Sequence, residues 1–354
     1  MILLSTRTKF MIKKKKKLPP VLPPFEKDNF PSFMRKEIFV QGDLINHFLN
    51  KYIKAQKIKF NFIKVKIDRI KRAYIIANAA DYCVALAGAY NFEVLADVPC
   101  NAELISEFNC SNPILDKSTL VIVISHSPND LHTKIALDRI RHSGCKVIGI
   151  FDFCPPDDWT ISLDFESKSN ILTASTTLRH VALTLLSLYF GNENEVITPL
   201  YVQIAVQMLQ SLDERIKNIL SNEYFIRQKA MEMIDRDILF SGANVDFASS
   251  VYGAYLMNGV NDNHIQIIPA GELENCFIKP NQYTVAFASN KDFYNMLNKN
   301  IHFDTIILPA SIMEVGENRF VYPESIPLLN PILSDVCLQL TAYQTALIKG
   351  KDIL

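Results

Sequence analysis

The 354-residue sequence predicts an α/β protein built from two parallel sheets, each flanked by helices on both faces. Three observations carry that expectation. Short, continuous apolar runs alternate with amphipathic segments, the signature of strands buried on both faces. The alternation occurs twice, separated by a long helical stretch. Each unit opens with a strand, a small-residue turn and a helix: Ile75-Ile76-Ala77-Asn78-Ala79-Ala80 in the first, Leu239-Phe240-Ser241-Gly242-Ala243-Asn244 in the second. This repetition suggests an internal duplication.

In chain order, Leu18-Pro19-Pro20-Val21-Leu22-Pro23-Pro24 cannot continue a helix and reads as an extended linker. Glu37-Ile38-Phe39 and the stretch 44–49 carry apolar residues at helical spacing and form a helical lead-in. Strands of the first unit are expected at 73–77, 100–105, 120–125, 146–152 and 171–174, with helices near 81–95, 129–142 and 177–189. A helical connector follows from 199 to 234, interrupted by the turn-like Ser211-Leu212-Asp213-Glu214. Strands of the second unit are expected at 238–241, 264–268, 284–288 and 305–308, and helices near 247–258, 291–297 and 334–348. The expected domains are a basic, proline-rich disordered arm (1–29), a first α/β domain (30–196), a connector (197–236) and a second α/β domain (237–354). In such sheets ligands bind beyond the carboxyl ends of the strands, where loops meet helix N-termini.

Composition narrows the function. Lys+Arg and Asp+Glu are both 37, so the formal net charge is zero. Residues 1–20 hold seven basic groups and no acidic ones, which leaves a net charge of −7 on residues 21–354. A body of that sign is a poor binder of nucleic acid, whose phosphates require clustered cations. No apolar run reaches the ~20 residues of a membrane-spanning helix. The 7 cysteines are scattered and never spaced as C-x-x-C, which fits neither a disulfide framework nor a zinc site. The first residues lack the pattern of a secretory signal. A cytoplasmic protein without a cofactor is expected.

Ile124-Ser125-His126-Ser127-Pro128-Asn129-Asp130, closing a strand and opening a helix, resembles the Ser-x-Ser-Gly-Glu-Thr loop of sugar-isomerase (SIS) domains. Residues 77–82 and Ala102-Glu103-Leu104-Ile105-Ser106-Glu107-Phe108 resemble one SIS family in particular, the isomerase half of glutamine:fructose-6-phosphate amidotransferase (glucosamine-6-phosphate synthase). The same family is echoed by Lys36-Glu37-Ile38-Phe39 with Gln41, Ala174-Ser175-Thr176, Ser211-Leu212-Asp213, Ala270-Gly271-Glu272-Leu273 and Leu338-Gln339-Leu340-Thr341-Ala342-Tyr343. These motifs run in the family's order over about residues 30–350.

The resemblance implies two SIS domains and a sugar or sugar-phosphate-like ligand. It also implies a homodimer, or pairing with a full-length synthase. The family's glutaminase domain and its C-terminal tail with a catalytic lysine have no counterpart in this sequence, so ammonia is not expected to be generated in cis. The positions matching the phosphate loops are Ala80, Asp81, Ser125, His126, Ser127 and Asp130, with Ser175 at the head of a later helix. Asp81 and Asp130 stand where the family has hydroxyl groups, and two carboxylates there would repel a phosphate dianion. The glutamates and lysine of the isomerase chemistry match Tyr252, Leu256 and Gly259, and the ring-opening histidine matches Asn275. Leu256, Gly259 and Asn275 cannot do acid–base work at neutral pH. Glu272 and Tyr252 are the surviving catalytic candidates, and Glu272 also reads as a loop-stabilising carboxylate. A divalent cation held by Asp81, His126 and Asp130 competes with simple drift of those positions, and drift is the simpler account. The expected function is binding of a carbohydrate derivative with impaired catalysis. The alternative is an active sugar-phosphate or amino-sugar-phosphate isomerase with rearranged residues, among them Glu272, Tyr252 and His126.

Overall fold

The computed structural model describes residues 26–60, 69–154, 157–297, 302–312 and 316–351. The basic run and the proline segment lie outside the described residues. Helix α1 (Phe33–Tyr52) begins where Ser32, in extended backbone, accepts a hydrogen bond from the Arg35 N–H at 3.2 Å, an N-cap that satisfies one of the helix's free donors. Met34, Ile38, Ile45, Phe48 and Leu49 recur at helical spacing and are buried. Gly42 admits the neighbouring Asp213: a Cβ at this position would lie 2.2 Å from the Asp213 carboxylate. A two-residue hairpin follows, β1 (Ile53–Lys54) and β2 (Lys57–Ile58).

The first sheet contains β3 (Arg72–Ala77), β4 (Cys100–Leu104), β5 (Thr119–Ser125), β6 (Lys146–Phe151) and β7 (Thr160–Ser162), all parallel, in the order β4-β3-β5-β6-β7. Its helices are α2 (Tyr82–Ala96), α3 (Ile105–Cys110), α4 (Leu131–Ser143) and α5 (Ala174–Glu193). Helices α6 (Pro199–Gln210), α7 (Leu212–Ser221) and α8 (Glu223–Met233) lead to the second sheet. That sheet holds β8 (Ile238–Gly242), β9 (Ile265–Pro269), β10 (Tyr283–Phe287), β11 (Thr305–Pro309) and β12 (Arg319–Tyr322), in the order β12-β11-β10-β8-β9 and again parallel. Helices α9 (Val245–Val260), α10 (Lys291–Leu297) and α11 (Asn330–Lys349) complete it. Counted within its own sheet, each unit has the strand order 2-1-3-4-5, which places the chain reversal between its first and third strands.

Alternation along the strands explains the layers. Ile75, Ala77, Ile122, Ile124, Ile148 and Ile150 face one core, and Ile76, Val121 and Val123 face another formed with Phe108 of α3 and Ala136, Leu137 and Ile140 of α4. The first core is continuous with Phe240, Tyr283, Val285 and Phe287 of the second sheet through α2, α5, α9 and α11. Those four helices are sandwiched between the two sheets, so their sequences are apolar nearly all round. No helix among the described residues is long and apolar enough to cross a membrane.

Two strands differ from expectation. Residues 171–173 are irregular and Ala174 opens α5, because their carbonyls are used elsewhere. Leu172 accepts from the Tyr252 hydroxyl at 2.9 Å, and Thr173 accepts from the Gln339 amide at 3.2 Å. The fifth strand is instead the three-residue edge strand β7, too short to show a pattern. The edge strand β12, with its alternating Arg319-Phe320-Val321-Tyr322, was likewise unforeseen. Both occupy the same place in their sheets.

Glu37 ties α1 to the segment that replaces the expected strand. Its buried carboxylate accepts hydrogen bonds from the Ser167 hydroxyl, the Lys168 and Ser169 N–H groups and the Thr173 hydroxyl, all between 2.8 and 3.0 Å. Burial pushes this carboxyl group up, and the donors pull it back down. Glu37→Ala leaves the buried Ser169 N–H and Thr173 hydroxyl without this acceptor and is expected to cost about 3 kcal/mol, read from the midpoint of chemical denaturation.

Candidate functional site

The reversal point of the first sheet lies between the carboxyl ends of β3 and β5. At the end of β3, Asn78 leads into a 3-10 turn (Ala79–Asp81), and its amide donates to Ser125 Oγ at 3.2 Å. The Thr133 hydroxyl lies 2.8 Å from the same Ser125 oxygen and 3.0 Å from Asp130 Oδ2. Ser125 is therefore buried and committed to joining two strand ends. Ser127 is half-buried, and its hydroxyl accepts from the Asn129 N–H at 3.1 Å. Asp130 caps α4 by accepting from the Thr133 N–H at 3.2 Å. Its carboxylate is turned onto its own helix, which favours negative charge at that end.

Asp81 is 2% exposed and does not face an open site. Both of its oxygens accept from Arg179 Nη1, at 3.0 and 2.9 Å, and the Thr176 hydroxyl donates at 3.2 Å. Arg179, itself fully buried on α5, donates through Nη2 to Asp152 at the end of β6. Asp152 Oδ2 in turn lies 2.6 Å from His126 Nδ1. A charge chain thus runs from the interior to the surface: Asp81, Arg179, Asp152, His126. The imidazole end is 58% exposed, and its Nε2 lies 3.8 Å from Glu166 Oε1. Hydrogen bonding to Asp152 raises the pKa of His126, with the charges of Asp152 and Glu166 adding to it and burial and Arg179 opposing it. Burial pushes the Asp81 carboxyl up and the like charge of Asp152 adds to this, while Arg179 pulls it down.

The two carboxylates of the expected repulsion do not face one open site: Asp81 is buried and paired with Arg179, which it shares with Asp152, while Asp130 is exposed and caps α4. The expected convergence of Asp81, His126 and Asp130 is not found either, since Asp130 is outside the chain of ion pairs. Among the described residues no group of three His, Cys, Asp or Glu side chains is arranged to hold a metal ion. Ala80 is buried in the 3-10 turn, and Ser175 is buried in the first turn of α5, where its hydroxyl finds no hydrogen-bond partner among the described residues. Sequence reasoning missed Arg179, Asp152 and Glu166. The signal for Arg179 was one guanidinium inside a leucine-rich helical run from Leu178 to Leu188.

Of the catalytic candidates of the second unit, Tyr252 lies on α9, which packs against the 3-10 turn holding Asp81. Tyr252 is fully buried; its hydroxyl donates to Leu172 O at 2.9 Å and accepts from the Gln339 amide at 3.1 Å. Burial holds the phenol far above its ordinary range. Leu256 is buried beside it. Glu272 is exposed in a 3-10 turn (Ala270–Asn275) and accepts from the Asn275 amide at 3.3 Å, a local loop contact.

The corresponding edge of the second sheet is closed by backbone. A Cβ on Gly242 would lie 2.5 Å from the Asp246 carbonyl oxygen. The buried Asp246 carboxylate accepts from the Ser289 N–H at 2.8 Å, with no cation beside it. Burial raises its pKa to about 7.

Two outcomes follow from these buried charges. Arg179→Met strands Asp81 and Asp152 and is expected to cost about 3–5 kcal/mol; adding Asp81→Asn should restore part of the loss in a denaturation series. Asp246 has an ordinary value of 3.8 and a folded value of about 7, so between those pH values the folded state holds more protons than the unfolded one. Its contribution is complete below about pH 4 and about 4 kcal/mol smaller once pH passes 7. Asp246→Asn keeps the acceptor for Ser289 and should flatten the fall in stability between pH 4 and 8.

Residues 66–189 match the SIS domain family. The chain is 26% identical over 354 residues to the isomerizing glutamine–fructose-6-phosphate aminotransferase of Clostridium tetani, covering 93% of this chain and 58% of that relative. With the enzyme of the same description from Buchnera aphidicola it shares 28% over 355 residues, covering 92% and 57%. The chain thus spans little more than half the length of the curated relatives it matches. Its fold superposes on the C-terminal domain of glucosamine-fructose-6-phosphate aminotransferase from Francisella tularensis with a TM-score of 0.82 at 19% identity, over 93% of this chain and 99% of that one. Tagatose-6-phosphate ketose/aldose isomerase from Escherichia coli superposes with a TM-score of 0.71 at 14% identity, over 91% and 95%. The chain carries a SIS domain in a tandem SIS fold and is homologous to the C-terminal, isomerase part of the glutamine–fructose-6-phosphate aminotransferases.

Proposed function

We propose that the chain binds a carbohydrate derivative, a sugar or sugar phosphate, over the carboxyl edge of its first sheet, with catalysis impaired relative to the aminotransferases. The observation that carries this reading is the state of α9. The positions that match the family's proton-transfer residues are a buried, doubly hydrogen-bonded tyrosine (Tyr252), a buried leucine (Leu256) and a glycine (Gly259). Aldose–ketose interconversion needs a base within reach of a carbon-bound proton and an acid for the carbonyl oxygen, and this face offers neither. The first edge, in contrast, keeps groups suited to polyols: the Ser127 hydroxyl, the exposed imidazole of His126 and the N-terminal turn of α4.

The charge inventory supports a ligand of either kind. Arg179 offsets one of the two buried carboxylates, and a protonated His126 offsets the other. The edge then carries no net negative field from that chain of residues, and a phosphate is not excluded. The protein is proposed to act in the cytoplasm as a homodimer, or paired with a full-length synthase. A purified sample should then scatter light as a particle of about twice the chain's 40.2 kDa.

Thermal unfolding with fructose 6-phosphate, glucosamine 6-phosphate and their unphosphorylated forms tests the binding. A ligand present at 100 times its dissociation constant stabilises the folded state by about 2.7 kcal/mol, a readily measured rise in Tm. His126→Ala should abolish that rise. Formation of glucosamine 6-phosphate from fructose 6-phosphate and ammonium ion is expected to stay at background. Turnover at a rate typical of the relatives would overturn the reading of α9.

A further inference from the structure

The strand starts of the first sheet, at the end opposite the edge described above, gather cations. Lys71 immediately precedes β3, Lys117 lies just before β5, and Lys146 opens β6. These three strands are neighbours in the sheet, so their starts lie about 5 Å apart. Backbone contacts fix the lysines side by side. The Lys71 N–H donates to the Ser118 carbonyl at 2.9 Å, and a Cβ on Gly144 would lie 3.9 Å from Lys117 Cγ. The thiol of Cys145, next to Lys146, reaches the Asp116 carbonyl at 3.1 Å. Lys117 therefore stands between Lys71 and Lys146, and all three side chains are exposed.

The carboxylate beside them is already engaged. Asp116 accepts from Arg72 Nη2 at 2.6 Å, from the Ser118 hydroxyl and N–H at 2.6 and 2.8 Å, and from the Thr119 hydroxyl at 3.1 Å. Lys71, Lys117 and Lys146 have no ion-pair partner among the described residues. The matching end of the second sheet is balanced instead. There Asp237, just before β8, pairs with Lys279 at 2.6 Å, and Asp304, just before β11, pairs with Arg236 at 3.1 Å. The first unit thus leaves three ammonium groups facing solvent on a body whose net charge from residue 21 onward is −7. Like charges held this close repel one another, and an anionic partner relieves all three contacts at once. The loop leading into β5 adds an apolar group: Ile114, near Lys117 in the chain, is 70% exposed.

We propose that this surface docks a short acidic peptide segment of a partner protein, its carboxylates on Lys71, Lys117 and Lys146 and an apolar side chain on Ile114. Two arguments favour a peptide over a larger polyanion. The free cations are lysines, point charges without the planar fork or the aromatic faces on which nucleic-acid bases stack. A duplex or a membrane also extends well past a cluster of three, and beyond a screening length of about 8 Å it faces a body of its own sign. The surface lies at the opposite end of the sheet from the proposed sugar site and is independent of it.

The test is fluorescence anisotropy of a short labelled peptide of Glu and Asp with a central leucine, titrated with the full chain. Every sample carries Lys13→Gln, Lys14→Gln, Lys15→Gln, Lys16→Gln and Lys17→Gln, so that the N-terminal basic run does not compete. Saturable binding is expected, at least about 10-fold tighter than that of the same peptide with Gln and Asn in place of Glu and Asp. Lys71→Gln, Lys117→Gln and Lys146→Gln in combination should weaken it about 10-fold, and Ile114→Ser about threefold. Lys54→Gln, Lys134→Gln and Lys217→Gln together change the net charge equally at exposed positions elsewhere and should leave the affinity within about twofold. Equal binding of the acidic and the amide peptide overturns the proposal. So does binding that survives the combined change at 71, 117 and 146, or that falls equally in the control set. Tighter binding of a double-stranded oligonucleotide, or of phosphatidylcholine vesicles with about 30% phosphatidylserine, overturns the choice of a peptide.

Discussion

A guanidinium with no access to water holds the first half of the molecule together. Arg179 stands on the buried helix α5 and reaches the carboxylates of Asp81 and Asp152, which follow different strands. Taking three ions out of water is costly, and a neutral, well-packed set of side chains could match their contribution to stability. What the ions add is position. Because a charge left unpaired at this depth is far more costly than a misplaced methyl group, the ends of β3 and β6 and the first turns of α5 are fixed relative to one another. His126, the outermost member, inherits that order: it is exposed, yet its ring is held through Asp152.

Much of the fold was legible in the sequence because buried parallel strands announce themselves as continuous apolar runs, such as Thr119–Ser125, where every residue is buried. The edge strands Thr160–Ser162 and Arg319–Tyr322 were not legible. They are short, and three or four residues cannot establish a period. Residues 171–174 show the opposite error: β-branched and apolar, they resemble a strand, but tertiary hydrogen bonds from Tyr252 and Gln339 claim their carbonyls. At the site, Ser125, His126 and Ser127 could be found from a local motif. Their electrostatic setting could not, because Arg179 is 98 residues from Asp81 and only the sheet topology brings the two together. The sequence supplied the carboxylate without the arginine that pairs with it in the folded chain.

The two halves share a strand order and treat a buried carboxylate differently. Asp81 has a cation and a hydroxyl donor; Asp246, at the matching edge of the second sheet, has backbone N–H donation from Ser289 and no cation. The first arrangement keeps a charged, polar edge. The second gives a carboxyl group that is half protonated near neutrality, beneath a turn so tight that only glycine fits at position 242. One strand order thus carries two different edges: a charged, partly exposed one in the first sheet and, in the second, a turn where Gly242 packs on the Asp246 carbonyl.

With Arg179 committed, the charge that can adjust at the first edge is that of His126. Asp81 and Asp152 together outnumber the arginine, so the chain of residues is negative when the imidazole is neutral and balanced when it is protonated. A neutral sugar has no electrostatic preference between those states. A phosphate prefers the second, and by linkage its binding must draw a proton onto the imidazole. The same protonated ring is the form in which both imidazole nitrogens donate. The charge of this chain of residues is thus set by one exposed imidazole against a buried guanidinium shared by two carboxylates.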